Sequence, residues 1–263
     1  MTGVRWTLLD AWTITLRELR RWAHEPAAVA LGLLFSVMVL LMFAYLLGGG
    51  MAVPGGGTYR EFLIPGMLAL TMVFGIETTF SAVTTDARQG ITDRFRSLPM
   101  AASAVVAGRA AADLLHSALG LAVMIGVGLA VGWRWHGGIG PALLAFGLLL
   151  LLRVAILWIG IFAGLIAGSS TALVAVQILV WPIGFLSSAF TAPSTMPGWL
   201  GVAVEWSPLS ATATAARELF GNPGWGGASW AAQHALPMAV AWPALLIAIF
   251  FPLSVWTWRR LGR

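Results

Sequence analysis

Six long stretches of this chain carry almost no charge, and they constrain its fold more than any other feature. A bilayer core about 30 Å thick needs roughly 20 apolar residues at about 1.5 Å rise each. Runs of that kind occupy residues 27–47, 62–85, 104–131, 142–167, 172–190 and 238–258. The composition agrees. Of 263 residues, 59% are hydrophobic and 10% charged, against about 25% charged in an ordinary soluble domain. Such a chain cannot cover itself with a wettable surface. The sequence therefore predicts an all-α membrane protein with six transmembrane helices. The first run begins near position 27 and is too long for the apolar core of a signal peptide, so the N-terminal segment is expected to stay on the chain.

Several chemistries are excluded by what is missing. With no cysteine, the chain forms no disulfide, thiolate metal site or cysteine nucleophile. All 15 basic residues are arginine, so there is no lysine for a P-loop or a Schiff base. His24, His116, His136 and His234 are scattered and lack zinc-ligand spacing, and Gly-x-Ser-x-Gly is absent. The chain is expected to be no enzyme by itself and to hold no metal or cofactor of its own. The net charge of +5 is better read as a topology signal than as a nucleic-acid footprint.

Six spans put both termini on one side. That side holds Arg5, Arg17, Arg20, Arg21, Arg88, Arg94, Arg96, Arg109, Arg259, Arg260 and Arg263. The opposite side holds Arg60, Arg134 and Arg217, and Arg153 lies within a span. The positive-inside rule then makes both termini cytoplasmic. Trp133, Trp135, Trp199, Trp206, Trp225 and Trp230 fall at the outer headgroup level, and Trp6, Trp12, Trp22, Trp256 and Trp258 at the inner one. Indoles prefer that level because the ring is apolar and the N–H wants a partner.

Three segments are not spans. Residues 4–24 place Leu9, Trp12, Leu16 and Leu19 at helical spacing beside Arg17, Arg20 and Arg21. That pattern fits an amphipathic helix lying in the inner interface. In residues 86–99, Ile91, Phe95 and Leu98 form a short apolar stripe ringed by arginine, and Pro99 stops the helix. A docking surface for a soluble partner and a basic loop that only sets topology both fit this spacing. Residues 192–237 are rich in Pro, Gly, Trp and Ser. Pieces 196–206 and 209–220 are expected as short helices that dip into the membrane or lie flat.

Ionisable residues within the second and fourth spans suggest a pairing. Glu77 in the second and Arg153 in the fourth fall at similar depth, which predicts a Glu77–Arg153 ion pair. The alternatives are that Arg153 snorkels or pairs elsewhere, and that Glu77 is protonated or faces a polar cavity.

The charged loop also carries a resemblance. Gly90-Ile91-Thr92-Asp93-Arg94-Phe95-Arg96-Ser97-Leu98-Pro99-Met100, followed by Gly108-Arg109 and Ala112-Asp113, resembles ABC-2 type exporter permeases of the daunorubicin-resistance branch. Further matches are Phe62-Leu63-Ile64-Pro65-Gly66, Phe185-Leu186-Ser187-Ser188-Ala189-Phe190, Met196-Pro197-Gly198-Trp199-Leu200 and Ala216-Arg217. Ser207-Pro208 stands where the family usually has Asn-Pro, and both Ser and Asn can cap a helix.

The resemblance implies a cytoplasmic interfacial helix over residues 1–26 and a transmembrane domain over 27–263. It implies a coupling helix within 86–99, between the second and third spans, that docks into an ATPase through Arg88, Gly90, Asp93, Arg94, Phe95, Arg96, Leu98 and Pro99. Two short re-entrant helices are implied within 192–237. Two cytoplasmic ABC ATPase subunits would bind ATP and Mg, and a second permease subunit, the same chain or a related one, would complete the complex. The setting implied is the bacterial plasma membrane, with lipid around the chain and no nucleic-acid partner. The cargo implied is a hydrophobic or amphiphilic drug, natural product or lipid. Phe74, Glu77 and Trp181 are the expected cargo contacts by position. An ion-coupled secondary transporter is the alternative; it would use Glu77 or Arg153 and show internal repeats, and no convincing repeat is visible.

Overall fold

The computed structural model describes residues 4–24, 26–46, 48, 53, 56–90, 102–167, 169–227 and 229–260. Among these, every regular element is helical. The helices are α1 (Val4–His24), α2 (Pro26–Leu46), α3 (Tyr59–Arg88), α4 (Ala102–Ala130), α5 (Ile139–Ala167) and α6 (Ser170–Phe185). A 3-10 turn at Pro193–Thr195 leads to α7 (Gly198–Glu205), α8 (Pro208–Phe220), α9 (Trp230–Gln233) and α10 (Ala235–Arg260).

Each of the six apolar runs has become a helix. α3, α4, α5 and α10 are long and apolar enough to cross a membrane. α2 and α6 contribute shorter apolar helices, Ala30–Leu46 and Thr171–Phe185. α6 ends at Phe185 rather than at the expected position 190, for a local reason. Pro182 lies inside it, and Ser187 Oγ donates to the Gly184 carbonyl at 2.6 Å, satisfying a group the next turn would have used.

Local chemistry sets the other boundaries. Thr58 caps α3 in a capping box with Glu61. Ser207 caps α8 through the Ser210 N–H, with Pro208 in the first turn, so the serine does the work of the family's asparagine. Gly221 ends α8 at φ 67°, a left-handed conformation that suits glycine.

α5 is the centre of the bundle and packs on α3, α10, α8 and α4. The approach of α3 and α5 depends on small residues. A Cβ on Gly160 would stand 3.0 Å from Thr79 Cβ, and one on Gly164 would stand 2.9 Å from Val83 Cβ. Close backbone contact through glycines four apart is a common way to join helices in lipid, where no hydrophobic force drives them together. α2 and α6 both pack on α3. Leu31, Met38 and Tyr45 of α2 and Ile178, Leu179 and Ile183 of α6 stay exposed, as apolar side chains in a lipid-embedded bundle are free to do.

α1 is helical as expected, but Leu9 and Trp12 face away from the protein. The face turned inward is Ile14, Thr15 and Glu18. It rests on α4 at Gly108, where Thr15 Oγ1 donates to the Gly108 carbonyl at 3.0 Å. A Cβ at Gly108 would stand 2.4 Å from the Ala11 carbonyl oxygen, a backbone atom that cannot swing aside. Gly108→Val is therefore expected to lift α1 off α4 and to cost about 1–3 kcal/mol through overpacking. Limited proteolysis within residues 4–24 reads this out; unchanged protection would refute the close-crossing account.

Trp133 departs from its expected place at the outer headgroup level. It is fully buried against Phe220, with Nε1–H donating to Asn222 Oδ1 at 2.8 Å. The packing of α8 has supplied the indole partner that the interface would have supplied. Trp199, Trp206 and Trp230 do remain exposed.

Candidate functional site

A cavity of about 520 Å³ lies between α2, α3, α4 and α6. Phe74 and Glu77, three apart on α3, share one of its walls. Gln177 and Trp181, four apart on α6, form the facing wall. Gly32, Phe35 and Ser36 come from α2, and His116 and Ser117 from α4. The three residues expected as cargo contacts, Phe74, Glu77 and Trp181, thus line one space. The Trp181 ring lies 4.7 Å from Phe74 and 5.5 Å, edge-on, from Phe35. Gln177 stands beside the Glu77 carboxyl in the wall of the cavity.

Behind this wall sits a buried polar cluster. Arg153, midway along α5, is completely buried. Its acidic partner is Asp113 of α4, not Glu77. Nε donates to Ser117 Oγ at 2.6 Å, and Nη2 donates to Thr79 Oγ1 at 2.7 Å and to Asp113 Oδ1. Thr79 in turn donates to Asp113 Oδ2. The guanidinium lies flat on α3 at Gly75, where a Cβ would stand 2.6 Å from Cζ. The expected Glu77–Arg153 pair fails because equal depth is not equal direction. Gly75 and Thr79 lie one turn apart on the face of α3 that meets Arg153. Glu77 lies two residues from each, about 200° around the helix at about 100° per residue.

At the end of the bundle where α3 closes, Asp86 is nearly buried and joins three helices. Its carboxylate is 2.7 Å from Arg109 of α4 and 3.7 Å from Arg17 of α1, and Arg17 also meets Glu18 at 2.6 Å. Of the expected coupling residues, Arg88 ends α3 and Gly90 follows it at φ +66°, both exposed. Asp93, Arg94, Phe95, Arg96, Leu98 and Pro99 lie outside the described residues.

At the opposite end, Arg217 of α8 is 2% exposed instead of standing in the expected external loop. Nε donates to the Phe62 carbonyl at 2.9 Å, and Nη2 donates to the Ser188 and Ala189 carbonyls at 2.9 and 3.0 Å. Its guanidinium covers the Phe62 ring at 3.8 Å. Gly66 makes room for this, since a Cβ there would stand 2.7 Å from Arg217 Nη2 and 2.6 Å from the Ala189 carbonyl oxygen. One side chain thereby ties α3, the turn after α6 and α8 together.

A profile of ABC-2 type transporters matches residues 10–220. The chain belongs to the ABC-2 type transporter family. This ABC-2 chain is 32% identical over 260 residues to the daunorubicin resistance ABC transporter permease protein DrrB1 of Streptomyces coeruleorubidus. That match covers 98% of the chain and 87% of the relative. It is 22% identical over 205 residues to the probable doxorubicin resistance ABC transporter permease protein DrrC of Mycobacterium tuberculosis, in two strains, covering 77% of the chain and 74% of that protein. The resemblance drawn from the loop and the Pro-Gly motifs is thus borne out, and the chain is a multi-pass membrane permease. The matched stretch holds the cavity, the Arg153 cluster and the Arg217 tie.

Asp113, Thr79 and Ser117 are the residues of this ABC-2 permease that sequence reasoning missed. A signal was present. Asp113 falls inside the third apolar run, and Ser117 follows four residues later on the same helical face. An acid and a hydroxyl on one face of a span mark a polar partner elsewhere in the bundle.

Proposed function

We propose that this chain is the membrane subunit of an ATP-binding-cassette exporter that moves a hydrophobic or amphiphilic compound outward from the cytosol or inner leaflet. The observation that carries this is the 520 Å³ cavity, which brings Phe74, Glu77 and Trp181 together in a chain whose relatives are named for daunorubicin and doxorubicin resistance. Its volume lies in the range of about 300–1,000 Å³ typical of small-molecule sites. In this proposal α2 to α6 and α10 cross the bacterial plasma membrane with both termini cytoplasmic. The segments α7 and α8 re-enter from the outside. Two ATPase subunits bind ATP and Mg, and a second permease subunit faces the first.

The ATPase contact runs through residues 86–99. Asp86 supports that route. A displacement of the chain after α3 is felt at once by Arg109 of α4 and Arg17 of α1, and the bundle then shifts between two arrangements of the cavity. Ion-coupled secondary transport through Arg153 is disfavoured, because its charge is already matched by Asp113. The test is co-purification with a candidate ABC ATPase subunit, followed by Arg94→Ala and Phe95→Ala. Each is expected to weaken ATPase binding and stimulation at least about tenfold, as for anchor residues of an interface. Full binding and stimulation by both variants would sink the coupling assignment.

A further inference from the structure

We propose that Arg217 holds a small monovalent anion of chloride size in a closed pocket beside it, and that this ion locks α8 to the segments around it.

A cavity of about 30 Å³ lies against Arg217 and shares no wall residue with the larger cavity. Its walls include Ser188 in the turn after α6, Glu205 at the end of α7, Ser210 and Arg217 of α8, Trp225 in the loop after α8, and Ala235 at the start of α10. That is room for a particle of water size or slightly larger, and too little for a sulfate or a phosphate.

The guanidinium is buried, and its bonds through Nε and Nη2 all go to neutral carbonyls. Among the described residues no carboxylate stands within ion-pair distance of it. A buried positive charge is costly without a negative partner.

The neighbouring groups are donors. Ser188 Oγ and Trp225 Nε1 are buried with no hydrogen-bond partner among the described residues. Ser210 Oγ already accepts from the Ser188 N–H at 3.0 Å and from Ser207 Oγ at 2.8 Å, so its own proton remains to donate. Trp225 is fixed beside Arg217 because both pack on the Phe62 ring, the indole edge-on at 4.7 Å and the guanidinium over it at 3.8 Å. Two hydroxyls, an indole N–H and an unmatched guanidinium around one small space suit an anion. A water there would satisfy donors and leave the charge unmatched, whereas an anion does both. Glu205 is the acid in the wall. It is half-buried, and its Oε2 accepts from the Ser229 N–H at 3.1 Å. Its charge opposes the ion, so removing that charge should tighten binding, which a water site would not show.

The test uses the full chain purified in detergent in sodium gluconate. Its thermal unfolding midpoint is followed as chloride, bromide or sulfate replaces gluconate at constant ionic strength, and chlorine NMR line broadening reports binding without unfolding. Chloride and bromide are expected to raise the midpoint along saturating curves, with half the effect reached at about 1–50 mM. Sulfate should show no saturating component. Trp225→Phe keeps an aromatic ring and removes the N–H, and should weaken chloride binding at least about tenfold. Ser188→Ala should weaken it as well, and Glu205→Gln should tighten it about threefold. No saturating halide effect in the wild type would overturn the site and leave water as its occupant. A halide effect unchanged in both Trp225→Phe and Ser188→Ala would mark an adventitious ion only, and weaker binding in Glu205→Gln would overturn the sign of the charge assigned to the occupant.

Discussion

Asp113→Ala is expected to destabilise the folded chain by about 3–5 kcal/mol, the usual cost of removing one partner from a buried ion pair. Arg153 is completely buried at the middle of α5, and without Asp113 its charge has only the hydroxyls of Thr79 and Ser117 for company. The loss is a large share of the roughly 5–15 kcal/mol by which most domains are folded. It should appear as a sharply lower midpoint of thermal unfolding in detergent and a reduced yield of monodisperse protein. The double variant Asp113→Leu with Arg153→Leu is expected to be more stable than either single variant, because two matched apolar side chains leave no orphaned charge. If the double variant is as unstable as the worse single one, the pair is not the energetic unit described here. Glu77→Gln should leave the midpoint nearly unchanged, since Glu77 holds no charge partner in this cluster.

The second large effect is expected at Arg217. Arg217→Leu removes three hydrogen bonds to the carbonyls of Phe62, Ser188 and Ala189. Bonds from a charged donor contribute about 1.5–3 kcal/mol each, although neighbouring losses do not add in full. A total of about 3–5 kcal/mol is expected, with the damage centred on the turn after α6. Arg217→Lys should recover little of it. An ammonium is a compact point charge and cannot spread a planar fork over carbonyls from two segments. Proteolysis of residues 186–207 in the two variants, compared with the wild type, measures the effect directly. Equal resistance in wild type and Arg217→Leu would show that other contacts hold this segment. Gly66→Leu should mimic Arg217→Leu, because its side chain must occupy the space now filled by the guanidinium.

Much of the molecule was legible in the residues. The apolar runs became α2 to α6 and α10 with ends within a few positions, because hydropathy over about 20 residues is a strong and local signal. The two expected short helices appeared as α7 and α8 because Pro197, Ser207, Pro208 and Gly221 act through their immediate neighbours. Phe74, Glu77 and Trp181, expected as contacts by position, meet in one cavity. Equal depth misjudges the partner of Arg153. Rise along a helix depends only on residue count, while the direction a side chain points depends on how the helix is turned against its neighbours. Arg217 and Trp133 were assigned to the outer surface from their position in connecting segments. Both are buried because α8 folds back onto α3 and α5, a contact between residues far apart in the chain.

The sequence by itself determined that the chain lives in a membrane, where its helices begin and end, that its chemistry excludes a P-loop and thiols, and which family it resembles. These properties are sums over short windows or the presence of particular residues. The tertiary structure alone decided which charges meet. It put Arg153 with Asp113, joined Asp86 to both Arg109 and Arg17, and turned Glu77 into the cavity. Such pairings are set by the rotation and close approach of helices at Gly75, Gly108, Gly160 and Gly164. No local rule distinguishes those four among the chain's 31 glycines, because what matters is the atom from another helix that stands where their side chain would be.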